Sequence, residues 1–105
     1  MDNRPLSELL EEIGMAWADA NAAASLLEET KSAVLAQKMA MLGSDIPVSR
    51  AEMAIRSSQE WHDHIVSMVE ARKKSNILKV RYEALKARLQ EWQSQEANER
   101  VRARI

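Results

Sequence analysis

The stretch WHDHIVSMVEARKKSNILKVRYEALKARLQEW, residues 61–92, decides the fold. Taken by threes and fours from its first residue it yields Trp61, His64, Met68, Ala71, Ser75, Leu78, Tyr82, Leu85, Leu89 and Trp92, with neither Gly nor Pro inside. A 3,4 alternation kept this long is the seam of a helix that lies along another helix. At a rise of about 1.5 Å per residue, a helix over about 58–99 is roughly 60 Å long, too long to be wrapped inside its own globule. It requires a partner of similar length.

Residues 5–42 supply that partner. Their series Leu6, Leu10, Ile13, Trp17, Ala20, Ala24, Leu27, Lys31, Val34, Lys38, Met41 keeps the same spacing, interrupted by two lysines. Late in the helix a stripe shifted by one position, Leu35, Met39 and Leu42, is more apolar, as expected when a straight helix outruns a strict heptad. Pro5 suits a first turn, and Glu8, Glu11 and Glu12 lie where the helix dipole favours acids. Gly14 costs about 1 kcal/mol inside a helix, so it marks either local weakness or a close approach. From Ala16 to Ser25 the only large apolar side chain is that of Trp17, and the last helix carries its own small pair, Ala71 and Ser75. An antiparallel hairpin sets these thin zones face to face, with Trp17 near Tyr82 and Leu85, and Leu6 and Leu10 near Leu89 and Trp92.

The connection is equally readable. Gly43 is placed to end the first helix in a left-handed cap, and Asp45-Ile46-Pro47 cannot continue it. Ser49-Arg50-Ala51-Glu52 is a capping box, flanked by Val48 and Met53 as a hydrophobic staple, which starts a short helix over about 50–56. Ser57 with Glu60 forms a second box at a corner before the long helix, with one continuous helix from 50 as the alternative. The expected architecture is therefore all-α: a long antiparallel helical hairpin in one domain over 1–105, with frayed ends at 1–4 and 100–105. A second apolar flank on the long helix, Ile65, Val69, Ile77, Val80, Ala84 and Ala87, predicts that the hairpin packs on another copy as a dimeric bundle or coiled coil.

Composition supports the class. Phe is absent, aromatics are 4%, Gly and Pro number two each, and helix formers dominate. With no Cys there is no disulfide, thiolate nucleophile or thiolate metal site. Met1-Asp2-Asn3-Arg4-Pro5 is polar with no apolar segment after it, and no run approaches the ~18 apolar residues of a membrane span. The expectation is a cytoplasmic chain in a bacterial cell, with no membrane partner.

The net charge of −1 conceals a split: residues 1–42 carry seven acids against three bases, residues 58–105 ten bases against seven acids. An acidic first helix lying on a basic last one accounts for it. Within this, Arg72, Lys73, Lys74, Lys79, Arg81, Lys86 and Arg88 form a stripe dense enough to track phosphates. Arg72, Lys73, Lys79, Lys86, Arg100, Arg102 and Arg104 are the candidate nucleic-acid contacts. No stacking platform accompanies them, so such binding would follow the backbone with little sequence preference. The competing reading is a solvated face neutralised by the first helix.

No catalytic, cofactor or metal site is expected. His62 and His64, at i and i+2, point about 200° apart on a helix and cannot grip one ion from one side. Ser44, Asp45, His62 and His64 assemble no nucleophile and base. The residues expected to form the core and oligomer seam are Leu10, Ile13, Trp17, Leu27, Val34, Trp61, Met68, Leu78, Tyr82, Leu85, Leu89 and Trp92. Met39, Met41, Met53 and Met68 gather around the turn, where they fill gaps or offer an adaptable surface.

The runs Ser67-Met68-Val69-Glu70-Ala71-Arg72, Asn76-Ile77-Leu78-Lys79-Val80 and Glu91-Trp92-Gln93-Ser94 resemble small helical proteins encoded by bacteriophages and prophages. The resemblance covers about the last 50 residues and extends loosely to Leu26-Leu27-Glu28-Glu29-Thr30-Lys31. It implies a phage accessory gene and carries no functional site. The function expected is a scaffolding or protein-interaction module acting on a host or phage protein, with a nucleic-acid accessory role as the alternative.

Overall fold

A computed structural model describes residues 4–104, and all regular structure among them is helical. The elements are α1 (Leu6–Met41), α2 (Val48–Arg56) and α3 (Gln59–Arg104). The molecule measures 85 × 24 × 16 Å, with a radius of gyration of 23.3 Å. A compact chain of this length would have about 13 Å. It is a rod.

α1 and α3 pack antiparallel along most of α1. Lys38 meets Glu60 near the turn, Glu28 meets Arg72 midway, and Gly14 meets Tyr82 near the far end. The chain holds two unlike cores. At the waist Ala20, Ala24 and Ser75 are buried, so the predicted thin zones do face one another. At the turn end Trp61, 4% exposed, is buried, as are Ala51 and Ile55 of α2. Removing a buried Trp side chain costs about 3–5 kcal/mol, whereas a buried methyl contributes about 0.8 kcal/mol. The turn end therefore supplies the larger apolar stabilisation, and the waist sets how near the helices come. The remaining seam residues Leu10, Ile13, Trp17, Leu27, Val34, Met68, Leu78, Tyr82, Leu85 and Leu89 are half-buried.

Gly14 is the close approach: a Cβ there would lie 3.2 Å from Tyr82 Cε2. Tyr82 is held over it by Trp17, with ring centroids 5.4 Å apart. Gly43 has φ of 95° and nothing within 4 Å of its Cβ position, so backbone conformation alone requires glycine there. Its N–H donates to the Ala40 carbonyl at 3.2 Å, closing α1 as expected.

The structure departs from expectation at four places. First, α2 starts at Val48 and the Ser49 box is not used. Pro47, with ψ of 143°, turns its carbonyl toward Ala51 N–H (3.0 Å), so the helix is entered before Ser49 is reached. Val48 and Met53 stay exposed, and Glu52 pairs with Arg56 instead. Second, the cap of α3 is Ser58, one residue after the expected Ser57. Its hydroxyl donates to Ile55 O (2.6 Å) and accepts from Trp61 N–H (3.2 Å), while Ser57 Oγ donates back to Met53 O (2.8 Å). Two serines thus join the last turn of α2 to the first turn of α3, and the two helices are separate.

Third, α3 stays helical to Arg104, through residues expected to fray. Of the expected frayed start, Arg4 pairs with Glu12, and 1–3 lie outside the described residues, as does 105. Fourth, Trp92 is 53% exposed and is not part of the hairpin seam. With Gly14 level with Tyr82, Leu6 reaches only to about residue 90, and α3 runs on alone for about 20 Å.

Replacing Ala24 by Leu should force the waist apart and cost about 1–3 kcal/mol, and Gly43→Ala should cost about 1 kcal/mol through its positive φ. Urea unfolding followed by helical circular dichroism reads both, and an unchanged midpoint for Ala24→Leu would mean that the waist is not in contact.

Candidate functional site

The seam is consumed by the fold, so anything functional lies on the faces it leaves outside. The polar contacts across α1 and α3 show how little of the charge is spent within the hairpin. Arg72 is the main link. Its Nε donates to Glu28 Oε2 (2.9 Å) and its Nη2 to Glu28 Oε1 (2.7 Å), while Nη1 donates to Asn21 Oδ1 (2.7 Å) and Nη2 also reaches Ser25 Oγ (3.3 Å). A planar guanidinium read by three side chains on successive turns of α1 fixes the register of one helix on the other. These hydrogen bonds lower the Glu28 pKa, against desolvation and aided by the guanidinium charge, and they raise that of Arg72.

The second link, Lys38 Nζ to Glu60 Oε2 at 3.0 Å, places the base on α1 and the acid on α3. Wholesale neutralisation of a basic α3 by an acidic α1 is therefore not what the fold does. Lys73, Lys74, Lys79, Arg81, Lys86, Arg88, Arg100, Arg102 and Arg104 make no ion pair among the described residues. The candidate nucleic-acid set divides accordingly: Arg72 is taken up by Glu28, Lys73, Lys79 and Lys86 are exposed along the paired part of α3, and Arg100, Arg102 and Arg104 sit on its overhang.

Between these bases runs an apolar ridge of α3: Val66, Val69, Ile77 and Val80 are 44–65% exposed, and a shallow groove beside them is lined by Met68, Val69, Lys73, Ile77 and Val80, with Glu28 of α1 and its partner Arg72 at its edge. Lys73 stands in the middle of the ridge. The outer side of α1 is its opposite in charge: Met15 and Leu26, 64% and 62% exposed, stand among Glu8, Glu11, Glu12, Asp19 and Glu29. The outer placement of these acids was not legible from the charge count, because a count does not say which way a helix is turned. The seam spacing would have located it: the acids fall between seam positions.

The remaining candidates sort simply. His62 is exposed, whereas His64 stacks on Trp61 at 5.4 Å and has its Nε2 buried without a hydrogen-bond partner, so the two imidazoles diverge. Met41, Val48 and Met53 are exposed at the turn end and Met39 is half-buried, whereas Met68, expected to join them, lies midway along the rod in the groove with Glu28 and Arg72. Among the described residues no three His, Cys, Asp or Glu side chains are grouped to hold a metal ion, and no helix is long and apolar enough to cross a membrane. No family model, curated protein or solved structure matches the chain.

Because the Glu28 pKa is depressed by folding, the stabilisation from its pairing is present above the unfolded carboxylate value and is lost as pH falls through the folded one. As pH falls below the ordinary carboxylate range, the melting temperature should therefore drop more steeply in the native chain than in Arg72→Gln. Thermal melts across that range check it, and parallel curves would refute a role for the pair.

Proposed function

We propose that the chain is a non-enzymatic interaction module that self-associates into a larger helical bundle and presents a rigid surface to a protein of a phage or its bacterial host. The observation that supports this most is surface. The chain exposes 8264 Å², against about 6,000 Å² for a compact monomer of its mass. The excess is more than the ~800 Å² that one specific interface takes from each partner. Helical stability comes chiefly from packing an amphipathic face, and a single seam of half-buried residues leaves the outer ridges without cover.

A second reading rests on the free bases. Lys73, Lys79 and Lys86 meet no acid of α1, and the overhang adds Arg100, Arg102 and Arg104, so a nucleic-acid accessory role follows if this track receives phosphates. The Val and Ile side chains between the bases favour the protein partner, since phosphates offer them nothing.

Light scattering at micromolar concentration should give a mass at least twice 11.9 kDa, and Leu85→Asp or Leu89→Asp should unfold or dissociate the protein by setting a charge in the seam. A monomer mass with full helicity overturns the assembly. Oligonucleotide affinity that falls steeply with salt and is abolished by Lys79→Glu with Lys86→Glu would install the second reading instead.

A further inference from the structure

Building on self-association, we propose that the outer ridge of α3 is covered by the acidic outer ridge of α1 from a second copy, a head-to-tail contact. The ridge itself selects its occupant. Lys73 and Asn76 lie within it, both exposed, so a lipid surface would have to take a cation and an amide into hydrocarbon. An antiparallel twofold pairing of α3 with α3 through the middle of the ridge sets Lys73 against Lys73 of the second copy, like charge against like charge. What fits is an apolar ridge with a carboxylate at the level of Lys73.

α1 carries that pattern at the same spacing. Val69 and Val80 stand eleven residues apart, with Lys73 four residues after Val69; Met15 and Leu26 stand eleven apart, with Asp19 four residues after Met15. Eleven residues are about three helical turns, so each pair of apolar side chains lies along one side of its helix with the charge between them. Laid side by side in the same direction, Met15 meets Val69, Leu26 meets Val80 and Asp19 meets Lys73. Glu29 then falls level with Glu83, within about a turn of both Lys79 and Lys86. All of these side chains are exposed in the single chain. Asp19 shares the rim of the waist groove with Lys74 but makes no ion pair there. The carboxylate is therefore available to the neighbour.

Such a contact uses a different surface on each partner. It leaves one ridge open at either end of the pair, so it propagates unless the geometry closes a ring. Mass should rise with concentration and fall with salt, because charge pairs at an exposed rim are screened.

Two variants test the pairing, one reversing the basic ridge (Lys73→Glu with Lys79→Glu) and one the acidic ridge (Asp19→Lys with Glu29→Lys). All four positions are exposed, and helical circular dichroism verifies folding. Each variant alone should fall to 11.9 kDa in light scattering, and an equimolar mixture should recover at least twice that mass. If the native chain assembles while the acidic-ridge variant keeps its full mass, this contact is wrong and self-association stands. A monomeric native chain sinks both. Binding to phosphatidylserine vesicles or duplex DNA that is lost only in the basic-ridge variant, with both variants keeping native mass, also overturns the proposal and assigns the ridge to that ligand.

Discussion

Everything in this molecule depends on how closely two helices can approach where their side chains are smallest. Ala20 and Ala24 on α1 and Ser75 on α3 bury themselves against each other because nothing larger stands between them. Small side chains at a helix contact bring the axes toward the lower end of the usual ~8–10 Å separation. That closeness lets Arg72 reach across to Glu28, Asn21 and Ser25, and it brings Gly14 up tightly beneath Tyr82. The contact gains little apolar free energy of its own. It gains position, and the polar links then hold the register it permits.

The expenditure of charge follows from the same geometry. With the axes close and the seam narrow, only residues flanking it can pair across it, which is what Arg72, Glu28, Lys38 and Glu60 do. Charges farther round each helix point outward, mostly acids on α1 and an excess of bases over acids on α3. The hairpin therefore has two chemically unlike sides, and that polarity directs what meets it.

Much of the architecture was legible because it rests on short-range rules. The 3,4 seam, the glycine stop at Gly43, the corner at Ser57 and Ser58, and the complementary small zones are each set by a few neighbouring residues. The failures involved competition or length. At α2 a proline carbonyl reached the helix entrance before the Ser49 hydroxyl. At Trp92 the seam spacing continues, yet periodicity does not reveal where the partner helix ends; the pairing of Gly14 with Tyr82 does. The alternating bases of residues 100–104 looked like a fraying tail, whereas they extend a helix already formed for more than eleven turns. For the candidate surface, the residue types were visible and their orientation was not, because the charge balance was summed over whole helices.

The overhang and the turn lie at opposite ends of the rod, and the paired length between them behaves as a ruler with fixed graduations. Inserting one residue into either helix would rotate everything beyond it by about 100°, carrying the Val69 and Val80 side chains out of line and Tyr82 off Gly14. Only insertions close to whole numbers of turns, seven or eleven residues added to both helices at matching levels, preserve the seam. The reach of such a hairpin therefore changes in steps of about 10.5 or about 16.5 Å, and other lengths turn the seam away from its partner.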